Sequence, residues 1–134
     1  MVYPRPMTPH PFRRAVEARD LDAMRELLAD GVVFNSPVVH RPYQGRDVVA
    51  RLLGFAAATF EDFRYVDELV DGDRVALIFR ARVGDRELQG LDLVHTDADG
   101  RVDELTVMVR PMTGLVALGE AMGARIAAAG LPSS

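Results

Sequence analysis

The chain has 134 residues, 49% hydrophobic and 27% charged, with a formal net charge of −4. That is one domain with room for a hydrophobic core, and an acidic balance without a basic cluster argues against a nucleic-acid surface. The chain has no cysteine and all 16 basic residues are arginine, which excludes disulfides, thiolate chemistry, a Schiff-base lysine and a P-loop.

Residues 1–8 read as a loose, proline-broken arm with no signal-peptide h-region. Thr8-Pro9 starts a helix that runs to about Ala18, with Phe12 and Val16 on one face. Asp20 caps a second short helix, whose stripe is Leu21, Met24, Leu27 and Leu28 and whose end is Asp30-Gly31. Val32 to Phe34 is a short strand, and Asn35 to Gln44 a proline-containing loop. A third helix covers about Asp47 to Thr59. Four strands follow: Phe63 to Val70 with mixed alternation, Arg74 to Val83, and a hairpin from Arg86 to Val109. Gly84-Asp85 suits a type II′ turn. A last helix runs from Thr113 to about Ala129 with the stripe Leu115, Leu118, Met122 and Ile126, and the tail 130–134 is expected to be flexible. No apolar run can span a bilayer, so the cytoplasm is the default location.

Helices followed by consecutive tightly turned strands define an α+β class, an antiparallel meander curled around helices on one face. Such a sheet leaves a cone-shaped pocket. In the strand Arg86 to Thr96, alternation places Leu88, Gly90, Asp92, Val94 and Thr96 on one face and Gln89, Leu91, Leu93 and His95 on the other. Asp92 is the lone acid of its row, in a position where aspartate is disfavoured. It reads either as a pocket carboxyl among Leu88, Val94, Phe79 and Val107, or as a structural acid paired with Arg110 or Arg80.

The segments ARDLDAMRELLADGVVFNSP, YQGRDVVARLL and GLDLVHTDADGRVDELTVMVRP, in that order, resemble the NTF2-like superfamily in its SnoaL-like and ketosteroid-isomerase-like branch. The resemblance covers roughly Phe12 to Pro111. It implies a cone of curved sheet around about three helices with a C-terminal helix. Ketosteroid isomerases use a carboxylate base together with a tyrosine and a protonated aspartic acid. The aspartic acid falls on Asp92, but the base falls on Ser36 and the tyrosine near Phe12. SnoaL-like cyclases keep one pocket acid, which Asp92 could supply. Epoxide hydrolases of this fold need an Asp-Arg-Asp arrangement on neighbouring strands; Arg80 and Arg82 are present, but the sequence shows no acid beside them at the right spacing.

The other polar groups each have two readings. His40 is a general base on the mouth loop or an exposed loop histidine. Asn35 and Ser36 position a ligand or simply make a turn. Tyr43 and Tyr65 are pocket donors, or rim and sheet aromatics with their hydroxyls in water. Phe12, Phe34 and Phe79 complete the expected apolar wall. No metal-ligand spacing appears, so neither a metal nor another cofactor is expected. The expected function is binding of a hydrophobic or cyclic metabolite. Cofactor-free acid/base isomerisation, cyclisation or dehydration by Asp92 is weighed against a non-catalytic binding or dimerising domain. The face of Leu91, Leu93 and His95 carries hydrocarbon that a partner would cover, and the resemblance implies an isologous homodimer there.

Overall fold

The computed structural model describes residues 8–131. Most of the segments 1–8 and 130–134 expected to be flexible lies outside the described residues. Gly130 and Leu131 are described, and their N–H groups close the last helix on Ala127 O and Ile126 O.

The elements run α1 (Pro11–Glu17), α2 (Leu21–Leu27), β1 (Leu28–Asn35), β2 (Tyr43–Gln44), α3 (Arg46–Thr59), β3 (Glu61–Asp71), β4 (Arg74–Val83), β5 (Arg86–Thr96), β6 (Val102–Arg110) and α4 (Met112–Ala128). Several ends differ from the expected ones. His10, not Thr8, caps α1: its side chain accepts the Phe12 N–H, and Pro11 takes the first turn. The helix α2 stops at Leu27 because Leu28 turns extended and is fully buried against the sheet. Asp20 caps α2 as expected, accepting from Ala23 N–H. At the Gly84-Asp85 turn, Gly84 has φ 62° while Asp85 does not enter the left-handed region, as a II′ turn requires.

The six strands form one curved, unclosed sheet in the order β2-β1-β6-β5-β4-β3. The meander β3 to β6 is antiparallel as expected. The sheet as a whole is mixed, because β1 joins β6 in parallel. A parallel neighbour needs a long crossover, and here everything from β2 to β5 lies between the two strands.

The inner face of the meander is built from strict alternation. Val75, Leu77, Phe79 and Ala81 on β4, and Leu88, Gly90, Asp92 and Val94 on β5, are all buried. These residues share one core with Phe12, Leu52, Leu118 and Ile126 from α1, α3 and α4, and Leu27 of α2 packs against it. Phe79 is 1% exposed, and burying such a side chain contributes about 1.5–3 kcal/mol. The tip of its ring lies over Gly90, where an added Cβ would fall 2.0 Å from the ring's Cζ. Glycine at 90 is therefore a close-approach site and not a turn. Among the described residues, no helix is long and apolar enough to cross a membrane.

Candidate active site

The helices do not fill the cone. Between the inner sheet face, α1, α3, α4 and residues 36–39 lies an apolar cavity in which about 210 Å³ is reachable by the centre of a water molecule. One water needs only about 10–15 Å³ by that measure, so this is space for an organic ligand. Phe63 and Phe79 stack at 4.8 Å, with Phe60 edge-on to Phe79, and form an aromatic wall.

Asp92 lines this cavity from β5, between Leu77 of β4 and Val107 of β6 in register. The residue is 8% exposed. Its Oδ2 accepts a hydrogen bond of 2.7 Å from the hydroxyl of Tyr65. Among the described residues no other group bonds the carboxyl, and no buried side-chain N or O is left unpartnered, so Oδ1 keeps access to the cavity. Burial pushes the Asp92 carboxyl up to about 7, and the Tyr65 hydrogen bond offsets part of that rise. Burial first, and the neighbouring Asp92 second, hold the Tyr65 hydroxyl well above its ordinary value. The pair therefore keeps a protonated phenol beside a carboxyl that gains and loses its proton near neutral pH.

Of the two readings of Tyr65, the rim or sheet aromatic with its hydroxyl in water does not hold. The residue is 6% exposed and lines the cavity. The partner of Asp92 comes from β3, and neither the Asn35 to Tyr43 loop nor Arg80 or Arg110 supplies it; Arg110 bonds Gln89 instead. The cause is a bulge in β3: Tyr65 pairs with Phe79, but Asp67 pairs with Ile78, so Val66 is the extra residue. That bulge puts both Tyr65 and Glu68 on the buried side.

Of the other expected site residues, Phe12, Phe34, Ser36, Tyr43, Phe79 and Val107 line the cavity with Asp92. Four expected residues do not line it. Asn35 points to the other side of β1, as alternation with Phe34 demands, and donates to Thr106 Oγ1 at 2.9 Å. His40 is exposed on the loop. Leu88 shares the face of Asp92 but lies under the start of α4 at Gly114, and Val94 is sealed between Val75 and Leu105. The Ser36 Oγ accepts from Val38 N–H at 3.0 Å, the turn role weighed for it. His95 is on the outer face, bonded to Asp103 and, at 2.8 Å, to Asp73. Lining residues that the sequence did not single out come from α3 and α4, notably Ala56, Ala57, Gly119 and Gly123. Small size was their signal, and it is ambiguous without the facing helix. Among the described residues, no group of three or more His, Asp and Glu could hold a metal ion.

A curved, unclosed sheet wrapped on helices is the architecture of the NTF2-like class. The chain belongs to the SnoaL-like domain family, which matches residues 11–109, and to the ketosteroid-isomerase-like branch of that class. A crystal structure of a steroid delta-isomerase from Pseudomonas aeruginosa is 47% identical over 87% of each chain, with a TM-score of 0.83. A bacterial protein of cystatin-like fold from Silicibacter pomeroyi is 33% identical over 90% of this chain and 86% of that one, with a TM-score of 0.84. An NTF2-like protein from Mesorhizobium loti, 22% identical over 82% of this chain and 100% of its own, shares the fold with a TM-score of 0.63. No match was found among curated proteins.

Proposed function

We propose that this protein binds a hydrophobic cyclic ketone of steroid-like size in the cone and isomerises it by cofactor-free proton transfer. The observation that carries this reading is the Tyr65–Asp92 hydrogen bond inside an otherwise apolar cavity. The Asp92 carboxylate takes the proton from the carbon between carbonyl and double bond, giving a dienolate. The carboxylic acid so formed returns that proton at the far end of the conjugated system, so nothing is consumed. A base serves this shuttle best when its pKa lies near the working pH, and Asp92 at about 7 meets that condition. Tyr65 holds the carboxyl in place. Ser36, whose Oγ accepts from Val38, retains its own proton for the ligand oxygen. The similarity to a steroid delta-isomerase supports the ligand class.

A second reading, binding without catalysis, is favoured by one observation: Ser36 stands where the resemblance puts a carboxylate base. Incubation with a β,γ-unsaturated 3-ketosteroid separates the two. Growth of the conjugated-enone absorbance is the expected result. Saturable binding without that absorbance leaves only the second reading, and no binding of any such ligand overturns both.

The working unit of this proposal is a homodimer formed through the outer sheet face. Leu91, Leu93 and Ile78 are half-buried there, and Val66 and Met108 are 48% and 55% exposed. At one end of this face Arg64 lies opposite Arg80, and Arg80, Gln89 and Arg110 continue the row in register. Like charges set directly opposite are unfavourable unless something answers them. The other end carries three acids, Asp73, Asp103 and Glu104, around His95, with Arg74 opposite that histidine in register. A twofold axis through the apolar centre sets the arginine row of one copy on the acidic end of the other. Light scattering is expected to give the dimer mass, and Leu93→Glu the monomer mass. A wild-type monomer at working concentration overturns the assembly.

A further inference from the structure

Glu68 is a buried acid that the proton transfer does not use. Its side chain is 3% exposed, a strongly unfavourable place for a lone carboxylate. Two donors answer it: Arg13 Nη1 on Oε1 and the His10 backbone N–H on Oε2, each at 3.2 Å. Arg13 Nε also bonds Glu17 at 3.2 Å, so the guanidinium is held from two sides. Held in this way, its Cζ lies 5.8 Å from the centroid of the Tyr65 ring. Glu68 and Tyr65 reach the same side of β3 only because of the bulge at Val66. The clasp between α1 and β3 thus ends on the ring whose hydroxyl holds Asp92.

We infer that Arg13, fixed by Glu68 and Glu17, is a positioning residue for the Tyr65–Asp92 pair. This rests on the reading of that pair as the proton-transfer site. A cation over the ring face fixes the ring's orientation and draws charge toward it, which strengthens the phenol as a donor. A stronger donor favours the ionised carboxylate of Asp92, the form that accepts the proton. The charged and titratable groups around the pair are Arg13, Glu17 and His10 from the α1 side, Glu68 from β3, and Arg19 at the cavity wall. Burial keeps His10 below its ordinary value, so it adds little positive charge near neutral pH.

The test removes both charges of the clasp together, in Arg13→Met/Glu68→Leu, so that neither is left buried alone. Carbon-13 NMR then follows the titration of the Asp92 carboxyl in the full chain. The expected midpoint lies above that of the wild type by about half a pH unit or more, with the pH–rate profile moving the same way. Arg13→Lys, which keeps a cation against Glu68, is expected to restore most of the wild-type midpoint. A folded double variant with the wild-type midpoint would show that the clasp only ties α1 to the sheet, and the inference falls. Should that variant not fold, Arg13→Gln/Glu68→Gln keeps hydrogen-bonding groups at both positions without charge and carries the same expectation. The NMR midpoint is readable with or without turnover, so failure of the enzymatic reading and failure of this one are distinguishable.

Discussion

Replacing Asp92 by Asn is expected to lower kcat for enone formation by about 10²–10⁴-fold, the usual worth of a positioned acid/base group. The substitution is nearly isosteric, so the cavity keeps its shape. The Asn carbonyl oxygen can still accept from the Tyr65 hydroxyl, which now donates to Oδ2 at 2.7 Å. Ligand binding is therefore expected to persist, and the loss to fall on kcat while KM stays close to that of the wild type. Steady-state kinetics on the unsaturated ketosteroid, with a ligand-binding titration of the same preparation, check both halves. A loss confined to KM would make Asp92 a binding group and move the proton transfer elsewhere. Unchanged kinetics would end its role altogether.

The same substitution is expected to stabilise the fold at alkaline pH. Asp92 holds its proton more tightly folded, at about 7, than at its ordinary 3.8. Its contribution is therefore fully present below about pH 4, where the carboxyl is protonated in both states, and is lost as pH rises through about 7. A difference of about three pH units corresponds to roughly 4 kcal/mol, at 1.36 kcal/mol per unit. Asn cannot ionise and escapes that loss. Urea unfolding of both proteins at about pH 4 and about pH 8 is expected to show the advantage of Asn growing by up to this amount. Groups shared by the two proteins cancel in the comparison. An advantage that does not change with pH would mean that Asp92 ionises in the fold as easily as in the open chain. On the proposed reading, the site gives up stability in exchange for a carboxyl poised to move a proton.

The two expectations share a cause, the apolar surroundings of one acid. Phe79 over Gly90 on one side and Val107 on the other leave the carboxyl, among the described residues, a single protein donor, Tyr65. More donors would have pulled its pKa down and removed the proton from the useful range. The sparse hydrogen bonding of Asp92 is thus what the proposed chemistry requires.

How much of this was legible in the chain depended on regularity. The strand β5 alternates buried and half-buried residues without a break from Leu88 to His95, so the sequence by itself put Asp92, Leu88 and Val94 on the buried face and His95 on the other. Turn chemistry at Gly84-Asp85 and the apolar stripes of the helices were equally local, and they fixed the α+β order. The position of Tyr65 was not local. A bulge at Val66 changes the phase of β3, and a bulge depends on how the partner strand pairs, which FRYVDELV does not encode alone. The parallel docking of β1 on β6 joins segments separated by most of the chain. Which inward residues border empty space was likewise decided by the helices above them: α4 covers Leu88, the neighbouring strands seal Val94, and the gap left over Asp92 opens the cavity. Local sequence set which residue types face inward, because the side-chain period of a strand is a property of its own backbone. Only tertiary packing decided that a tyrosine from β3 meets the aspartate of β5, because that meeting depends on the register in which β3, β4 and β5 pair.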